Sequence, residues 1–89
     1  MTTEKKQEIV HHLNQAQGDN LLVTSIRNFV NNINSKRDND YLGLIKEIKE
    51  DIIDNAKVML GLFGETSYQY FKTFQLPTDF APVTSEGIE

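Results

Sequence analysis

Cysteine is absent from this chain, and its two prolines lie close to the C-terminus, at positions 77 and 82. Without cysteine, neither a disulfide framework nor a thiolate zinc site can supplement the hydrophobic core. No apolar run approaches the roughly 18 residues that a membrane span needs. The first residues lead into a polar segment and not into the apolar stretch of a signal peptide. These absences predict a cytoplasmic protein without a membrane partner.

A chain of 89 residues allows one small domain. Such a chain buries only roughly 60–65% of the surface that its unfolded form exposes, so its own core is marginal. The net charge is −4, and most of the acidic residues lie at or after Asp38. An acidic C-terminal half argues against a nucleic-acid or anionic-membrane surface in that half.

The longest regular pattern in the chain predicts a helix over 40–63. Its apolar residues recur at steps of three and four, which places them on one helical face: Tyr41, Ile45, Ile48, Ile52, Ala56, Met59 and Phe63. Flanking apolar residues widen this face to about half the circumference, which more than one neighbour has to cover. Lys49 and Asn55 interrupt the face, and we expect Lys49 to extend its ammonium into solvent.

Shorter patterns predict the other helices, over 3–17, 19–35 and 66–74. The candidate N-caps are Thr2 or Thr3, Asp19 or Asn20, and Asp38 or Asp40. The segment 66–74 also fits a strand of period two, but we favour a helix because no second strand is available.

The predicted fold is therefore all-α, a small helical bundle of three main helices and a short fourth. Helices two and three should form an antiparallel hairpin, with helix one packed across its open side. We expect a single helical domain over 1–74 and an extended C-terminal tail over 75–89, where the prolines lie.

The sequence predicts no catalytic, cofactor-binding or metal site. His11 and His12 are adjacent, so on a helix they point about 100° apart and cannot chelate one ion. The acidic residues of the third helix face away from its apolar side and indicate a solvated surface: Glu47, Glu50, Asp51 and Asp54. No serine lies in a nucleophile-elbow motif, and the isolated glycines form no phosphate-binding loop.

The feature that indicates a function is the aromatic C-terminal segment. Aromatic anchors between polar residues are common at protein interfaces, and here the candidates are Tyr68, Tyr70, Phe71, Phe74, Leu76 and Phe80. An ordinary packing role, in which Phe71 and Phe74 cover the end of the third helix, is the alternative for those two.

We therefore predict a non-enzymatic interaction module, a small adaptor, inhibitor or structural subunit that binds another protein. The broad face of the third helix also predicts a homodimer, a helical bundle that buries Ile52, Met59 and Phe63. The alternative function is a nucleic-acid-associated regulator that uses the positive residues Arg27, Lys36 and Arg37.

Overall fold

The computed structural model describes residues 1–77, and this part of the chain is helical with no strand. Its elements are α1 Thr3–Leu13, α2 Leu21–Asn31, a 3-10 turn Ile33–Ser35, α3 Asp38–Asp54, α4 Ala56–Phe63 and α5 Glu65–Thr73. The all-α class is confirmed, whereas the described residues form five α-helices instead of three main helices and a short fourth. Within 1–77 no helix is both long enough and apolar enough to cross a bilayer. Phe80 and most of the predicted tail lie outside the described residues.

Polar side chains accept hydrogen bonds from backbone amides at the N-termini of the first three helices. Thr2 Oγ1 accepts a hydrogen bond of 3.0 Å from the Lys5 amide, and Asn20 Oδ1 accepts one of 2.9 Å from the Val23 amide. At α3 the N-cap is Arg37 and not Asp38 or Asp40 as predicted, because the helix already begins at Asp38. Asp40, in the first turn, accepts from the Arg37 amide at 2.8 Å. The predicted caps at Thr2 and Asn20 are confirmed, since each satisfies an amide that lacks a helical partner.

Asn55 divides the predicted helix 40–63 into α3 and α4. Its backbone adopts φ −142° and ψ 58°, outside the helical region, and asparagine is a poor helix former. The expectation of one continuous helix is therefore wrong. Six of the seven residues of the predicted face are buried nevertheless; Ala56, directly after the break, is exposed, and Leu62 joins Met59 and Phe63 in the core.

Gly64 alone connects α4 to α5. Its φ of +83° lies in a region that side-chain-bearing residues rarely adopt, so the sharp turn depends on glycine. The turn folds α5 back so that it contacts both α3 and α4. The predicted helix near 66–74 is confirmed, and the strand alternative is excluded for this segment.

The helices pack in a different arrangement from the one expected. α3, α4 and α5 contact one another closely, and α1 contacts α2 and α5. α2 reaches α3 through an edge-to-face pair of Phe29 and Tyr41, whose ring centroids are 5.1 Å apart. The predicted hairpin of helices two and three is thus replaced by a closer α3–α5 packing, because the Asn55 and Gly64 turns return the chain onto α3.

Candidate interaction surface

The aromatic residues of α5 divide into core residues and half-buried residues. Phe71 is 0% exposed and Tyr68 is 8% exposed, and both belong to the hydrophobic core. This placement corrects the expectation that both face a partner, because the Gly64 turn directs that side of α5 onto the rest of the chain. Tyr70, Phe74 and Leu76 are half-buried at the edge of the core, and Phe80 lies outside the described residues.

Tyr70 joins α5 to α1. Its hydroxyl donates a hydrogen bond of 3.0 Å to Glu8 Oε1, and its ring stacks on His12 with centroids 4.0 Å apart. Burial, together with the hydrogen bond to Glu8, raises the pKa of the Tyr70 hydroxyl. The Lys5 ammonium, which binds the same carboxylate, is the main cause of the lowered pKa of Glu8. Much of the polar surface of Tyr70 is therefore already engaged within the chain.

His12 forms a second link between the same two helices. Its Nδ1 and Ser67 Oγ share a hydrogen bond of 2.8 Å, and Ser67 is only 3% exposed. Burial lowers the pKa of the His12 imidazole below 6.5, and the neighbouring charge of His11 lowers it further. The His11 and His12 rings meet edge to face with centroids 5.0 Å apart, and residues 1–77 contain no group of three or more potential metal ligands.

The expectation that Lys49 extends its ammonium into solvent is wrong. Its ammonium donates to the carbonyl oxygens of Lys72 at 2.8 Å, Phe74 at 2.9 Å and Phe71 at 3.4 Å. The Phe71 carbonyl also accepts the Phe74 amide at 3.3 Å, and the ammonium lies at the end of α5, where the last carbonyls of a helix lack helical partners. The lysine that interrupts the apolar face of α3 is therefore the C-terminal cap of a neighbouring helix, supplied from across the fold.

The residues predicted to bury a dimer interface lie inside the single chain. Ile52, Met59 and Phe63 are each at most 5% exposed and belong to its core. α5 supplies much of their cover, as the 5.1 Å separation of the Phe63 and Phe71 rings shows. The far end of the predicted third helix is therefore covered by α5 of the same chain.

Apolar residues remain exposed where α3 ends and α4 begins. Ile53 is 81% exposed, Val58 57% and Leu60 38%, and Lys57 is the one charged residue of α4. Ile53 and Ala56 line a groove of about 260 Å³ with Tyr68, and Leu60 follows Ala56 by one helical turn. We call Ile53, Ala56 and Leu60 the α4 face.

The groove beside the α4 face has an apolar floor and a polar rim. Ile52 and Tyr68 line it from the core side, and Lys49 and Lys72 line it as well. The Lys72 ammonium lies 5.8 Å from the centre of the Tyr68 ring. Of the predicted interaction residues that lie within 1–77, Tyr68 is thus the one that borders this exposed apolar surface.

The predicted positive residues occupy three different local positions. Arg27 is exposed on α2, Arg37 precedes α3, and the Lys36 ammonium lies 5.4 Å above the Phe29 ring. A nucleic-acid surface built from them stays a prediction. On α3, Glu47 and Glu50 are exposed, and Glu50 accepts a hydrogen bond from Lys46.

Sequence reasoning placed Ile53 and Leu60 beside the apolar stripe and did not predict their exposure. Asn55, a poor helix former, is a signal of the break itself, but Ile53 precedes the break, and no pattern in the sequence indicates that its side chain is exposed. Comparisons of this chain with protein-family models, with curated proteins and with solved structures find no match.

Proposed function

We propose that this protein is a non-enzymatic interaction module that binds a protein partner through the α4 face. The supporting observation is the exposure of Ile53 at 81%, beside a groove whose floor contains an aromatic ring. Exposed apolar surface with a polar rim is typical of protein-binding sites. Within residues 1–77, the α4 face thus combines the exposed side chain of Ile53 with the groove beside it.

The partner that fits this surface presents an apolar side chain to the groove and polar groups to its rim. Lys72 at the rim favours an acidic residue on the partner, next to that apolar side chain. A second copy of this chain is one such partner. Because Ile52, Met59 and Phe63 are covered within one chain, self-association would use the α4 face instead of those residues.

The test compares two exposed positions of α3 that lie on different sides of the helix. A photo-crosslinking residue replaces Ile53 in one variant and Glu47 in the other. We expect a defined crosslinked product from position 53 in the native cells, and its loss when Leu60→Lys is added. Sedimentation of the purified chain over a range of concentrations shows whether that product is a homodimer.

The proposal is wrong if position 53 captures no more protein than position 47 and the purified chain also sediments as a monomer throughout. Leu60→Lys changes an exposed residue of α4, so its effect on stability should stay within about 0.5 kcal/mol. Urea denaturation of this variant separates a lost interface from a lost fold.

A further inference from the structure

The groove between α1, the 3-10 turn and α3 lies apart from the α4 face and has a composition of its own. Its volume is about 530 Å³, within the range of roughly 300–1,000 Å³ typical of small-molecule sites. Val10, Ile33 and Tyr41 are apolar residues of its lining, and Lys6 and Lys36 are basic residues of its lining. Val10 and Ile33 are half-buried, so part of their apolar surface is open to the groove.

The two lysines of the groove differ in their partners. Lys6 Nζ lies 3.1 Å from Asp38 Oδ1, and the N-terminal ammonium of Met1 lies 2.9 Å from the other oxygen of the same carboxylate, so Lys6 shares its counterion. Within residues 1–77, Lys36 forms no ion pair, and its ammonium lies over the Phe29 ring at 5.4 Å. The groove therefore holds one cation that shares a carboxylate with the N-terminus and one cation that has no carboxylate partner within residues 1–77, in a protein whose net charge is −4.

We propose that this groove binds a small amphiphilic monocarboxylate, with the carboxylate on Lys36 and the apolar body against Val10, Ile33 and Tyr41. Because Lys36 has no ion pair within residues 1–77, a ligand carboxylate can approach its ammonium without displacing a carboxylate of the chain. The amide side chain of Gln7, which also lines the groove, is a neutral donor for the second carboxylate oxygen.

Octanoate is the probe for the test. Octanol is the control that keeps the alkyl chain without the charge, and acetate is the control that keeps the charge without the long alkyl chain. Backbone amide shifts of the full chain report where each compound binds. We expect saturable octanoate shifts at Val10, Ile33 and Lys36, and binding by octanol or acetate at least tenfold weaker. Each methylene removed from the probe should weaken binding by up to about fourfold, the equivalent of its burial.

Lys36→Gln and Lys57→Gln remove the same charge at two sites, one at the groove and one on α4. Lys36→Gln should weaken octanoate binding at least fivefold, and Lys57→Gln should leave it unchanged. Equal affinities for octanol and octanoate would overturn the proposal, because they would show that the groove does not recognise the carboxylate. Equal effects of the two variants, or octanoate shifts centred on Ile53 and Leu60, would also overturn it.

This inference is independent of the proposed protein partner, because the groove and the α4 face use different residues. Failure of octanoate binding leaves the crosslinking at position 53 unaffected, and failure of crosslinking leaves the groove titration unaffected.

Discussion

The two ends of α5 are attached to neighbouring helices by different chemistry. Near its start, Ser67 hydrogen-bonds the His12 imidazole of α1 at 2.8 Å. At its end, the Lys49 ammonium of α3 binds carbonyl oxygens, where the helix dipole is negative. The first attachment contains a group that titrates near neutral pH, and the second places a cation on a helix terminus. A single short helix is therefore held by one pH-dependent contact and by one cap from another helix.

Phe71, which packs in the core between the two ends of α5, should contribute more to the free energy of unfolding than either attachment. Phe71→Ala removes a side chain that is 0% exposed, and such truncations cost about 3–5 kcal/mol. We expect a loss of this size in the free energy of unfolding, measured by urea denaturation. Phe74→Ala, at the half-buried position that directly follows α5, should cost much less. Equal losses would mean that α5 is not anchored by Phe71.

The C-terminal attachment is tested by Lys49→Met, which keeps an unbranched apolar stem and removes the ammonium. Three carbonyl oxygens lose a charged donor, so we expect a loss of about 1–3 kcal/mol. Lys46→Met is the matched control one turn earlier in α3, where the lysine forms an exposed pair with Glu50. The control should cost less than about 1 kcal/mol, and similar losses in both variants would exclude the capping role.

Tyr70→Phe tests the hydroxyl contact between α1 and α5 while keeping the ring on His12. The variant removes the 3.0 Å hydrogen bond to Glu8 at an exposed position, so we expect a loss of about 0.5–1 kcal/mol. The same denaturation experiment measures it. A loss as large as that of Phe71→Ala would show that the stacked ring has also moved.

The smallest effect expected is the pH dependence of the His12 attachment. Because the folded-state pKa of His12 lies below 6.5, the unfolded chain binds the proton more readily than the folded chain. The contribution to stability is therefore complete above pH 6.5 and is lost as the pH falls below it.

Denaturation series between pH 5 and pH 7.5 measure this dependence. The loss should shrink in His11→Gln, which removes a charge that lowers the pKa of His12, and should shrink further in His12→Gln. A wild-type stability that rises as the pH falls through this range would contradict the assignment, as would an unchanged pH dependence in His12→Gln.

Local rules predicted the helical class and the caps of α1 and α2, whereas long-range packing determined how the helices are arranged. The caps at Thr2 and Asn20 depend on neighbours three positions away, which the sequence displays directly. The roles of Lys49 and Phe71 depend on α5 returning to α3, and that return depends on the backbone of Asn55 and Gly64. A hydrophobic pattern reports which side of a helix is apolar, but not which neighbour covers it.

Asn55 and Gly64 also bear on the order in which the chain folds. Each joins two helices by a single residue, so contacts among α3, α4 and α5 close short loops. The contacts from α1 to α5 span 55 positions at Ser67 and 62 at Tyr70, and longer loops lose more entropy on closing. We therefore expect α3 to α5 to assemble before α1 docks. In φ-value experiments, Leu62→Ala should slow folding, whereas Ile9→Val should mainly accelerate unfolding.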